Sequence, residues 1–287
     1  MKTRTQLAFL AVSLSTAATA MAQNHYPAGV EGIKAASLPP PGVYLRDYNY
    51  TYWADKFTAG PPGFDLTAYV QVPRMVWISD YKVLGGNYGA DVLVPFVYQN
   101  LKFQGYTGSK FGLGDICVEP VTLSWHPKQF DFAVGYAFWA PSGSYHSTDP
   151  VSPGKGFWTQ MLTAGATWYP DAKKTWSLSV LNRYEFNSIQ QDTGIRPGQM
   201  YTLEYGIAKA LTPALEVGVA GYYQKQTTTD SGTGASGMRD GAAAIGPEIT
   251  YAFPKIMLFT SLRYEREFTA TDRPQGNMVN LTITKRF

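Results

Sequence analysis

The chain has 287 residues, with 24 Lys+Arg against 21 Asp+Glu and a net charge of +3, so no basic excess points to nucleic acid. A single cysteine, Cys117, excludes an internal disulfide, and His25, His126 and His146 are too scattered for a zinc motif, so no metal or other cofactor is expected. Aromatic residues make up 15% of the chain, and no apolar run long enough for a transmembrane helix follows the N-terminal region. That leaves an extracellular all-β domain or an outer-membrane barrel.

The chain opens with Lys2 and Arg4, an apolar run from Leu7 to Leu14, and small residues at Ala20 and Ala22. This predicts a secretory signal peptide over residues 1–22. Its removal takes Lys2 and Arg4 with it and lowers the net charge from +3 to +1. Residues 23–42 follow, stiffened by Pro39–Pro41. They read as a periplasmic leader packed at the barrel mouth, with a plug in the lumen or a partner-docking arm as alternatives. The barrel itself is assigned to residues 43–287.

From there, alternation with period two recurs almost without a break. In Asn87–Gln99, Tyr88, Ala90, Val92, Val94, Phe96 and Tyr98 share one face, with aromatics at both ends and aliphatics in the middle. A lipid-facing strand with an aromatic at each interface has this shape. Strands are predicted at 43–55, 65–78, 87–99, 113–125, 130–140, 157–169, 175–187, 199–211, 215–226, 240–253, 255–268 and 276–287. Short links at 80–86, 126–129, 170–174, 212–214 and Pro254 alternate with longer ones at 56–64, 100–112, 141–156, 188–198, 227–239 and 269–275. Twelve antiparallel strands with both ends in the periplasm need five turns and six extracellular loops, and the links supply that number. The fold class is therefore all-β: an up-and-down transmembrane β-barrel of about 12 strands.

The last segment, "NMVNLTITKRF", places Val279, Leu281 and Ile283 on one face and ends at Phe287. In a closed barrel such a strand pairs with the first one and leaves no open edge. Alternating apolar residues with a terminal aromatic also resemble the C-terminal signature of bacterial outer-membrane proteins. That resemblance implies recognition of the strand ending at Phe287 by the barrel-assembly machinery.

Four stretches carry a further resemblance: "GLGD" at Gly112–Asp115, "WAPSGSY" at Trp139–Tyr145, "RYEFN" at Arg183–Asn187, and "LPPPGVYLRDYNYTYWAD" entering the first strand. Together they resemble the phenol meta-pathway degradation family, often labelled simply "transporter". Ser142 stands where Thr is commoner in that family. The resemblance covers nearly the whole mature chain. It implies a Gram-negative outer-membrane barrel, with lipids around it, that passes small hydrophobic or aromatic solutes. It brings no catalytic residues.

With the apolar face outward, the opposite face lines the interior. There the pattern puts Asp115, Cys117 and Glu119, then Arg183 and Glu185, Thr202 and Glu204, Glu216, Glu248, and Arg263 with Glu265. Asp115, Glu119, Arg183, Glu185, Glu204, Glu216, Glu248, Arg263 and Glu265 are the expected pore-lining charges, either a mutually neutralising network or a selectivity belt. If Asn187 pairs with Met200, Arg183 stands directly opposite Glu204. The rival classes are an outer-membrane hydrolase of lipase type and a structural or adhesive barrel. The lipase reading would need His146 with Ser144 or Ser147 in a loop that no strand fixes. The chain therefore reads as a channel rather than an enzyme.

Overall fold

In the computed structural model, which describes residues 24–58, 60 and 62–287, the alternating stretches form one antiparallel sheet closed on itself. Its strands are β1 (Gly42–Phe57), β2 (Asp65–Val83), β3 (Gly86–Leu93), β4 (Phe96–Phe103), β5 (Tyr106–Leu113), β6 (Ile116–Trp125), β7 (Phe130–Ala140), β8 (Thr159–Trp168), β9 (Trp176–Asn187), β10 (Met200–Ala210), β11 (Leu215–Gln226), β12 (Gly241–Phe253), β13 (Leu258–Thr271) and β14 (Pro274–Arg286). β1 pairs with both β14 and β2, which closes the barrel. The predicted signal peptide lies outside the described residues.

These fourteen segments make twelve staves. β3 and β4 are one strand interrupted at Val94–Pro95, where proline cannot donate to the ladder. β5 and β6 are its partner, interrupted at Gly114–Asp115, and the pairing Leu93↔Cys117 resumes beyond the break as Phe96↔Leu113. The expected loop 100–112 is therefore strand, turned at Gln104–Gly105. Both residues there have positive φ (46° and 82°), as a two-residue hairpin requires. Likewise β13 and β14 run into the expected loop 269–275, leaving a turn at Asp272–Arg273, and the link 80–86 shrinks to Leu84–Gly85. Alternation underdetermined these three because polar strand ends read as loop. The order of five turns at one end and six connections at the other stands.

Among the described residues, the outer edge of β5 pairs with no strand. The loop between β7 and β8 covers it: Ser144 N–H donates to Leu113 O at 3.1 Å, and Lys110 Nζ lies 2.6 Å from Asp149 Oδ2. Outward positions carry the large exposed apolar side chains, such as Trp77, Leu178, Ile207, Ile249 and Leu262, while inward positions carry the buried charges.

Residues 24–41, expected as a periplasmic leader, instead run through the lumen. His25 lies beside Asp115 and Glu185 at the loop end, and Ser37 meets Thr167 and Tyr169 near the turn end, from which β1 starts. Eight strands can fill a barrel with their own side chains; twelve leave space that this segment occupies.

Candidate functional site

The luminal segment has no regular secondary structure, so its backbone N–H groups need acceptors inside the barrel. The wall supplies carboxylates. Glu185 Oε1 accepts from the N–H groups of His25 and Tyr26, both at 3.0 Å. Glu204 Oε1 accepts from Gly29 and Glu31 at 2.9 and 3.1 Å, and its Oε2 accepts from the Tyr26 hydroxyl at 2.6 Å. Glu248 Oε2 accepts from Ile33 at 2.8 Å, and Glu216 takes Lys34 Nζ at 2.8 Å. Arg263 joins Glu248 and Glu265 at 3.1 and 3.2 Å and donates to the Gly29 carbonyl. Gly29 and Gly32 have φ of +86° and +71°, and a Cβ on Gly32 would collide with Arg263 and Glu248. The sequence here bends tightly against the wall because only glycine tolerates both the conformation and the approach.

Asp115 ties three parts together. Its Oδ2 lies 2.8 Å from His25 Nε2 and accepts from Lys155 N–H at 2.7 Å, while Oδ1 accepts from Gly143 N–H at 2.8 Å. It thus joins the strand break, the luminal segment and the β7–β8 loop. Above the strands, burial pushes the Asp240 carboxyl up to about 6, with Asp272 and Asp230 adding repulsion against the pull of Arg273.

All nine charges expected to line a pore face inward, but most hold the segment. Of the three cavities described below, only Asp115, Glu119 and Arg183 among the nine form part of a wall. The expected direct opposition of Arg183 and Glu204 is also corrected. Met200 pairs with Glu185, so Thr202 stands opposite Arg183. The two-residue slip keeps both side chains inward, and the diagonal pair still forms at 2.8 Å.

Free space runs along the other wall. A vestibule of about 900 Å³ lies between Asn24–Ala28 and the β2–β4 wall, reaching Asp115, Trp139 and Lys155. Next comes an apolar chamber of about 470 Å³ bounded by Tyr26, Tyr48, Tyr50, Leu93, Trp139 and Met161. A third cavity of about 670 Å³ opens beyond it toward Leu38, Tyr44 and Thr284. The chamber and the third cavity share Glu31, Arg74, Glu119 and Arg183. There Arg74 Nη2 lies 2.6 Å from Asp91 and 2.9 Å from Glu119, and Arg46 lies 3.0 Å from Glu31. The sequence pattern does not mark Arg46, Arg74 or the chamber aromatics as a site, although the Tyr44–Tyr52 alternation gives an aromatic inner face.

The profile of the family described as "Putative MetA-pathway of phenol degradation" matches residues 49–283. The chain belongs to this family. No curated protein matches the family member in hand. Among solved structures it is similar to the COG4313 outer-membrane channel from Pseudomonas putida F1, at 15% identity over 92% of this chain and 100% of that one, with a TM-score of 0.77. It is also similar to the translocator domain of the autotransporter NalP from Neisseria meningitidis, at 8% identity over 86% and 89%, with a TM-score of 0.53. The β domain of the Bordetella autotransporter BrkA is 12% identical over 86% and 99%, with a TM-score of 0.50. This phenol-degradation family member therefore has the fold of bacterial outer-membrane barrels, and its place is the outer membrane.

Proposed function

We propose that the protein is a passive channel for small hydrophobic or aromatic compounds, which travel from the vestibule through the apolar chamber to the third cavity. The observation that carries this reading is the chamber itself: a narrow gap between the luminal segment and the wall, lined chiefly by aromatic and aliphatic side chains, with Glu31, Arg74, Glu119 and Arg183 where it meets the third cavity. The family's description and the channel-type neighbour support it. Asp115, Glu119 and Arg183 act on the path, while Glu185, Glu204, Glu216, Glu248, Arg263 and Glu265 act by anchoring the segment that narrows it.

A hydrolase of lipase type has less support. The hydrogen bonds of His146 run through its backbone, with Ser152 Oγ accepting from its N–H at 3.0 Å, so no serine hydroxyl is poised on its ring. The assembly machinery enters as a partner through β14. Beyond Arg286, the Phe287 N–H donates to Val43 O at 3.0 Å and its side chain remains 69% exposed, available for recognition.

The test is uptake of uncharged monocyclic aromatics and of sugars of similar size into cells lacking and carrying the protein, beside a Met161→Trp variant that fills the chamber. Faster entry of the aromatics alone, lost in Met161→Trp with the barrel still assembled, is expected. Equal entry of both classes, or an unaffected variant, overturns the reading.

A further inference from the structure

The outward face of β1 and β2 breaks the apolar pattern at mid-membrane depth. The pairings align one row across five strands: Leu262, Leu281, Asn49, Gln71 and Phe96. The row below includes Ile283 and Asp47, and the row above includes Val279, Thr51 and Tyr69. Asp47 stands four residues from Val43, at the turn-end aromatic row with Trp77 and Phe287, and six from Trp53 at the loop-end row. Ten residues at about 3.3 Å each, tilted by ~40°, span roughly the 25 Å of the lipid-facing band. Asp47, Asn49 and Gln71 therefore lie where hydrocarbon should be, and ionisable groups at that depth mark contacts other than lipid.

The group does not satisfy itself. Asp47 Oδ2 accepts from Asn49 Nδ2 at 2.9 Å and from Gln71 Nε2 at 3.1 Å, and Tyr69 donates to Asn49 Oδ1 at 2.9 Å. Asp47 Oδ1 is buried without a partner, and of the three polar side chains Gln71 is the exposed one. Asn49 uses both ends of its carboxamide within one barrel, as the outward Asn182 on β9 does by donating to Ala164 O and accepting from Tyr201, whereas the exposed Gln71 carboxamide is seen only donating, to Asp47. Each carboxamide of the β1–β2 patch keeps a second N–H, and the patch holds acceptors as well as donors.

We propose that this polar seam is the contact face between two copies of the chain, related by a two-fold axis along the membrane normal. Two barrels inserted in the same sense can be symmetric only about such an axis, which preserves depth. The seam of one copy then meets the seam of the other, and a surface carrying both donors and acceptors is complementary to itself. Lipid chains offer no hydrogen bond at that depth. Met75 and Trp77 of β2, with Leu281 of β14, supply apolar flanks, being 46%, 47% and 40% exposed.

Cross-linking in isolated outer membranes tests this, using membrane-assembled Gln71→Cys in a Cys117→Ala background. Val180→Cys on the distant β9 face serves as control. At least tenfold more homodimer from Gln71→Cys than from Val180→Cys is expected. Native mass spectrometry of the unmodified protein in nanodiscs should give a dimer that becomes a monomer in Asp47→Leu/Gln71→Leu. Equal yields at the two cysteines, an adduct to a polypeptide of another mass, or a wild-type monomer in nanodiscs would each overturn the proposal. Because the wild-type measurement needs no variant to fold, assembly failure of Gln71→Cys leaves the question decided by it.

Discussion

Arg74 reaches from β2 to the luminal segment: its Nη1 lies 3.1 Å from Glu31 Oε1 while its Nη2 holds Asp91 on the adjacent β3 and Glu119 on β6 beyond it. One guanidinium thus bridges plug and wall at the boundary between the apolar chamber and the third cavity. Arg74→Gln leaves Glu31, Asp91 and Glu119 without that charge. The channel should become more cation-selective, read as a shift in reversal potential across planar bilayers. The segment should also dock more weakly, since breaking a buried pair costs ~3–5 kcal/mol. An unchanged reversal potential would remove Arg74 from the conducting path.

Gly32→Ala should loosen the plug. The added methyl would displace the Arg263–Glu248 pair and strain a backbone at φ +71°. Single-channel recordings should show conductance raised several-fold, with frequent transitions as the segment leaves and rebinds. The barrel should still assemble in the membrane, because the strands are untouched.

Exchanging the charges of Arg183 and Glu204 should not restore wild-type behaviour. Glu204 also accepts N–H bonds from Gly29 and Glu31, and arginine has no acceptor to offer them. The double variant Arg183→Glu/Glu204→Arg is expected to resemble Glu204→Arg in conductance. Recovery of the wild-type conductance would show that the pair acts by charge alone.

Asp240 gives a pH signature to the loop between β11 and β12. Its carboxyl titrates near 6 in the folded loop, above the ordinary aspartate value, because burial disfavours the anion. The folded loop therefore holds the proton more tightly than the open one, and its stability falls as pH rises toward and through 6. Hydrogen exchange over residues 227–240, corrected for intrinsic rates, should show stronger protection at pH 5 than at pH 7.5. Asp240→Asn should flatten that difference, and equal protection in the wild-type protein would contradict the assignment.

Leu203→Arg and Ala208→Arg separate the two faces of β10 in an unexpected way. Leu203 faces outward, and an arginine there enters hydrocarbon at ~2–4 kcal/mol near the midplane. Ala208 faces inward, yet it is 2% exposed and packs with Ile33 of the luminal segment. Ala208→Arg should therefore assemble in the membrane but expel the segment, read as high conductance, whereas Leu203→Arg should lower the yield of assembled barrel.

The amino-acid sequence by itself determined the barrel. A period of two sends alternate side chains to lipid and lumen, so Tyr88, Val92 and Leu203 could be assigned outward and Glu204, Glu248 and Arg263 inward without coordinates. Link lengths then set the number of staves. Those signals are local, and a slip of two residues between β9 and β10 preserves them, so they fix the inward face of Arg183 and Glu204 but not which residue stands opposite which. What fills the interior was decided only by the tertiary structure. Nothing along the chain marks Gly29, Glu31 or Ile33 as partners of Glu204 and Glu248, because their attraction acts across 173 to 215 residues and exists only once the wall has closed. The segment lies inside because its bare N–H groups and the buried carboxylates of β9–β13 each lack a partner until they meet. That meeting pushes the free space against the opposite, aromatic wall.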